Sequence, residues 1–236
     1  MNKTIPTLRY LSKGFTWLTA IGFLSILGST VIGNLIQTLI QRANPAQPAA
    51  PTTATFEVTA SIFAVLIGML LFLITLKLAV ANGVSRKTFL LANLPAALMA
   101  AAAFSMFNYV LYLILRTFRP VTLISQELYP QINGAGVIIL QIATYFLLIV
   151  AGWFVTLAYS RSNTLGRWII SLAPFILFGL LQTADASSGG AVWAAVEAYQ
   201  RASMGTPLRS IISLVVYSAI MVGLVYLLIR RAPVKD

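Results

Sequence analysis

Apolar residues gather along this chain into six long runs, at about 17–40, 58–80, 90–115, 132–159, 168–184 and 210–229, with short polar stretches between them. A helix rises about 1.5 Å per residue, so a run of about twenty residues crosses a hydrocarbon core of about 30 Å. The fifth run is shorter and carries Pro174. This pattern predicts an all-α integral membrane protein: one transmembrane domain over residues 1–236 with six spanning helices.

The polar stretches differ in kind. "RANPAQPAAPTTATFE" (42–57) is rich in Pro, Ala and Thr and reads as a flexible external loop. Residues 116–136 form a longer mixed loop, with Tyr129 expected near the membrane interface. In 185–207, Val192, Val196 and Tyr199 recur at i, i+4 and i+7, with Trp193 alongside and Glu197 and Arg201 offset. That spacing predicts an amphipathic helix of about three turns, bounded by Pro207 before the sixth span. In the N-terminal segment 1–16, Ile5, Leu8, Leu11 and Phe15 share one helical face while Lys3, Arg9 and Lys13 lie elsewhere. It is expected to lie flat as an interfacial helix.

Composition agrees with the pattern. Only 9% of residues are charged, against about 25% in a soluble domain. The formal charge of +11 would point to nucleic acid in a soluble protein. Here it points to loop orientation and to contact with anionic membrane lipid. With the N-terminus placed in the cytoplasm, eleven Lys/Arg fall on the inner side and five on the outer; four of the five acids also fall outside. Cations crowding one side are what the positive-inside rule requires, so both termini are expected in the cytoplasm. No cleavable signal segment is recognisable, and the expected location is the cell membrane.

Candidate chemistry is thin. The chain has no Cys and no His, which excludes disulfides, thiolate nucleophiles and Cys/His metal sites. No catalytic, cofactor or metal residues are expected. No span holds two acids for paired-carboxylate chemistry, and Lys77, the deepest lysine, sits about one turn from a helix end, where snorkelling accounts for it. Ion-coupled transport is not expected either, since no ionisable side chain falls at the centre of a span. Neutral Asn34, Gln37, Asn93, Asn108 and Gln141 read first as interhelical glue, and the run "AALMAAAAFS" (96–105) permits close helix contact.

The stretch "ANGVSRKTF" (81–89) stands apart. Gly83 is suited to end the second helix and Ser85 to cap the third. Arg86 and Lys87 then sit in a first turn, where the helix dipole mildly disfavours cations. Phe89 adds an apolar knob beside them. Topology signal and docking surface are both open readings of this loop.

The whole arrangement resembles a permease subunit of the ABC-transporter superfamily, type 2 export branch, as found in small bacterial six-helix permeases. The shared features are the basic amphipathic N-terminus, the six spans, the amphipathic helix near 192–203, and Gly83, Ser85 and Arg86 matching a G-x-S-R element in the first inner loop. The resemblance implies that Asn82, Gly83, Ser85, Arg86, Lys87 and Phe89 contact an ATP-binding subunit. The loop "SRSNTLGR" (160–167), with Arg161 and Arg167, would be a second, smaller contact. It further implies an ATPase dimer as partner, a second permease copy or paralogue, and ATP bound only by the partner. No G-x-x-x-x-G-K-[ST] occurs in this chain. A central path lined by Asn34, Asn93, Asn108 and Tyr109 would suit an amphiphilic, peptide-like or lipid-like cargo. The contrasting expectation is a non-transporting accessory or immunity-type protein that binds another membrane protein.

Overall fold

Helix boundaries follow the capping chemistry of the sequence. A computed structural model describes residues 20–28, 31–33, 52–53, 55–118 and 121–230. The expected interfacial segment 1–16, parts of the first apolar run and most of the 42–57 loop lie outside them. Helix α1 (Thr55–Ala81) stops at Gly83, whose φ of 71° admits the left-handed turn. Helix α2 (Arg86–Arg116) is capped by Ser85, whose hydroxyl accepts from the Thr88 N–H at 3.1 Å. After the short α3 (Ile124–Leu128), α4 (Gly134–Arg161) is capped by Asn133, and α5 (Thr164–Ser187) by Asn163. Each of these Asn side chains accepts at 2.8 Å from the glycine N–H three residues on. Helices α6 (Ala191–Met204) and α7 (Pro207–Arg230) complete the order.

Two of the expected loops carry structure of their own. Thr52 and Thr53 pair in parallel with Val121 and Thr122, as β1 and β2, and α1 already begins within the stretch read as flexible. Residues 116–136 hold β2 and α3. The amphipathic helix expected near 192–203 is α6, and the fifth apolar run lies within α5.

Among the described residues, four helices are long and apolar enough to cross a membrane: 56–81, α2, α4 and α7. Among them α4 is the central one, burying 44% of its most apolar window against 17% for α7. It crosses α1 at two glycines. A Cβ on Gly68 would stand 2.2 Å from the Ile149 carbonyl oxygen, and one on Gly152 would stand 2.5 Å from that of Val65. Only hydrogen fits there, and the Thr156 hydroxyl donates to the Met69 carbonyl at 3.0 Å beside the crossing. Helix α2 adds an alanine face, Ala92, Ala96, Ala97, Ala100 and Ala101, with Phe104. Phe72, Trp153 and Phe89 form an aromatic layer across α1, α4 and α2, with ring centres 4.9 and 5.4 Å apart. The N-terminal helical stretch packs on α2 through Phe23, stacked on Phe107 at 4.3 Å.

Chain direction is readable from contacts between helix ends. Arg161 at the end of α4 reaches the Leu228 carbonyl in the last turn of α7, and Tyr129, before α4, reaches Ser210 in the first turn of α7 and Met204 at the end of α6. Helices α4 and α7 therefore run the same way. The chain leaves one end of the bundle after Arg161 and reaches the opposite end by Met204, a distance that α5 and α6 cover together, with α6 lying along α7 through the Tyr199–Tyr217 and Ser203–Ser213 contacts. Helix α5 has 24 residues, about 36 Å of rise.

Outward-facing positions are apolar, among them Leu66, Leu70, Ile74, Met106, Val110, Ile212, Val216 and Ile220. A surface of this extent is unstable in water and suits hydrocarbon.

Candidate functional site

The stretch 82–88 is held by three local devices. The Gly83 N–H bonds the Val80 carbonyl and the Val84 N–H bonds that of Ala79, both at 2.9 Å. This is the Schellman pair that closes a helix through a left-handed residue. Asn82 adds a side-chain bond to the Leu78 carbonyl at 2.7 Å. Ser85 then starts α2 at once, so the turn between two long helices has little slack.

Arg86 does more than mark topology. Its guanidinium crosses to the end of α7, donating to the carbonyls of Arg230 at 3.0 Å and Ile229 at 3.4 Å. Arg161 does the same from α4, donating to the Leu228 carbonyl at 3.0 Å. Three successive carbonyls that the helix leaves without intrahelical partners are thus met by two cations, the arrangement a helix C-terminus favours. The unfavourable position of Arg86 at the start of α2 is compensated inside the chain. One end of the bundle consequently ties α1, α2, α4 and α7 together around a basic patch.

The other expected contact residues divide. Lys87 is exposed, and so are Asn82, Gly83 and Ser85. Phe89, expected as a knob beside the charges, is instead fully buried against Phe72, because it falls on the inward face of the first turn of α2. Arg167 lies 5.5 Å from the centre of the Tyr159 ring, on the exposed side of the 160–167 turn.

Among the described residues, the expected path residues do not form one cluster. Asn93 and Asn108 are both buried on α2, but fifteen residues apart, about 22 Å along the axis. The Asn93 amide donates to the Phe89 carbonyl at 3.2 Å within its own helix, whereas the Asn108 amide donates to the Tyr145 hydroxyl on α4 at 2.6 Å. Tyr109 is half-buried, with its hydroxyl over Gly134, where a Cβ would come within 2.0 Å. Asn34 lies outside the described residues.

At the end of the bundle opposite Arg86 is a feature the sequence reading missed. Glu57, assigned to an outer loop, is only 6% exposed in the first turn of α1. One carboxylate oxygen accepts from the Ile124 N–H at 2.5 Å. The other accepts from the Ser125 hydroxyl at 3.1 Å and from the Gln141 amide. It thereby caps α3, whose own N-cap residue, Leu123, has no side-chain hydrogen bond to offer. Ser105 on α2 completes the layer, 2.9 Å from the Ile138 carbonyl and 3.3 Å from the Gln141 side-chain oxygen. The available signal was Gln141 itself: a buried amide in an apolar helix needs partners, and a nearby carboxylate is a strong one.

Compared with known proteins, the chain matches no family model, no curated protein and no solved structure.

Proposed function

We propose that this chain is the membrane-spanning permease subunit of an ATP-driven exporter in the type 2 branch of the ABC superfamily. In this reading it has six spans, both termini in the cytoplasm, an interfacial N-terminal helix, and a place in the bacterial cell membrane. It works with a second permease copy or paralogue and a separate ATPase dimer, and it moves an amphiphilic, peptide-like or lipid-like cargo. The observation that carries the proposal is the 82–88 turn with its charge pattern. An exposed, tightly closed turn presents Lys87, while Arg86 links the same turn to the end of α7. A partner that moves this turn moves α1, α2 and α7 together, which is the coupling an ATPase needs to drive alternating access. The length of α5 supports a fifth span, and the crowding of cations at the Arg86 end supports placing that end inside.

The test is co-expression with the P-loop protein of an adjacent reading frame. Lys87→Glu is the clean probe, because Lys87 is exposed while Arg86 also holds α7. The expected result is co-purification with the wild-type chain and loss of chain-dependent ATP hydrolysis with Lys87→Glu, at unchanged thermal stability. If no P-loop protein is encoded nearby, or if the variant binds and stimulates hydrolysis normally, the proposal fails. The accessory or immunity-type reading then takes its place.

A further inference from the structure

We propose that the polar layer built from Glu57, Ser105, Asn108, Gln141 and Tyr145 binds a monovalent metal cation, sodium or potassium, between α1, α2 and α4. Three residues donate to the Glu57 carboxyl. A backbone N–H and a Gln amide nitrogen only donate, so the Ile124 and Gln141 bonds each take up a lone pair of the Glu57 carboxyl. Of its three partners only the Ser125 hydroxyl can accept a proton, and that hydroxyl is also placed to donate. Donors on both oxygens favour the ionised carboxylate.

A buried carboxylate needs a counter-charge, because neutral donors alone leave a net charge out of water. Among the described residues no Lys or Arg supplies it. Arg116 at the same end of the bundle lies instead 6.0 Å from the centre of the Tyr112 ring, and Arg209 is exposed.

The second, independent observation is Asn108. It is fully buried, its amide nitrogen is taken by the Tyr145 hydroxyl, and its side-chain oxygen has no partner. Tyr145 sits on the same helix as Gln141, the partner of Glu57. Along α4 it follows Gln141 by one turn, as Asn108 follows Ser105 along α2, so the two hydrogen-bonded pairs are neighbours. Carboxylate, amide, phenol and hydroxyl oxygens are the ligands that hard cations take. A single carboxylate, with no group of three acids or other metal-binding side chains among the described residues, fits one positive charge rather than two. This inference is independent of the exporter reading.

The test uses the full chain purified in detergent, with thermal unfolding followed in sodium, potassium and choline chloride at matched ionic strength. Ligand that binds only the folded state raises the midpoint in proportion to ln(1 + [L]/Kd). The expected result is a saturable rise with one alkali cation over choline, abolished in Glu57→Gln. Asn108→Leu keeps the carboxylate and should weaken apparent affinity by at least about tenfold. Asn108→Asp should tighten binding and shift preference towards calcium. A wild-type chain indifferent to sodium and potassium overturns the proposal, as does a cation response that persists in Glu57→Gln. Stability that follows pH alone would place a proton on Glu57 and overturn it too. Should Glu57→Gln fail to fold, the two Asn108 variants decide: unchanged apparent affinity in both overturns the site.

Discussion

Substituting alanine for Gly68 or Gly152 should part the two helices on which the bundle is centred. The added Cβ at Gly152 would stand 2.5 Å from the Val65 carbonyl oxygen, 2.9 Å from the Met69 nitrogen and 3.0 Å from the Gly68 Cα, whereas ordinary contact begins at 3.4 Å. At Gly68 the Ile149 oxygen is nearer still, at 2.2 Å. All of these are backbone atoms, so no rotamer change relieves the clash and the helices must separate by about 1 Å. A gap of that size forfeits about a quarter to a half of the dispersion energy of each contact it opens. Overpacking of this kind costs about 1–3 kcal/mol, against a gain of about 1 kcal/mol from replacing glycine by alanine within a helix. The net expectation is a loss of up to about 2 kcal/mol for Gly152→Ala and more for Gly68→Ala. Gly179 and Gly223 are the internal controls: nothing lies within 4 Å of an added Cβ at either, so alanine there should be neutral or slightly stabilising. Equilibrium unfolding in mixed micelles with increasing SDS, followed by circular dichroism, measures all four. The double variant Gly68→Ala/Gly152→Ala should lose less than the sum of the single losses, because helices already parted accept the second methyl cheaply. Gly152→Ala as stable as Gly223→Ala would refute the crossing itself.

Ser85→Ala removes the hydroxyl that accepts from the Thr88 N–H, and should cost about 1 kcal/mol in the same assay; no loss would mean that the turn does not depend on its cap. The absence of cysteine throughout the chain makes sidedness directly measurable: in intact cells an impermeant maleimide should reach Leu128→Cys and leave Lys87→Cys unlabelled until the membrane is opened. The reverse result would invert the orientation taken from the charge count.

What the sequence disclosed and what it withheld divide by the range of the interactions. The long spans were legible because lipid imposes one demand on every residue of a run, and that demand adds up along twenty positions. Gly83 and Ser85 were legible because their partners are Val80 and Thr88, within one turn. Glu57 was not, because its three partners lie 67, 68 and 84 residues away. Beside Pro, Ala and Thr in a polar stretch, a lone acid reads as solvated; only folding brings a helix N-terminus and a buried amide against it. Phe89 was misread for a related reason. Its neighbours Arg86 and Lys87 suggest a surface, while the ring packed against it, Phe72, belongs to α1.

Arg86 shows how such range decides even the sign of an effect. Judged from its own helix it is a cation at a positive dipole end and a small liability. Its guanidinium, however, binds carbonyls 143 and 144 residues further along the chain, at a negative dipole end, where the same charge stabilises. The two dipoles act on one side chain in opposite senses, and the direct hydrogen bonds favour α7. It follows that Arg86→Gln acts first on the attachment of α7, and only through that on any partner at the loop. Lys87 has no such internal engagement among the described residues. A pair of variants at these adjacent positions therefore separates holding the bundle from gripping its partner: loss of stability should track position 86, and loss of coupling at full stability should track position 87.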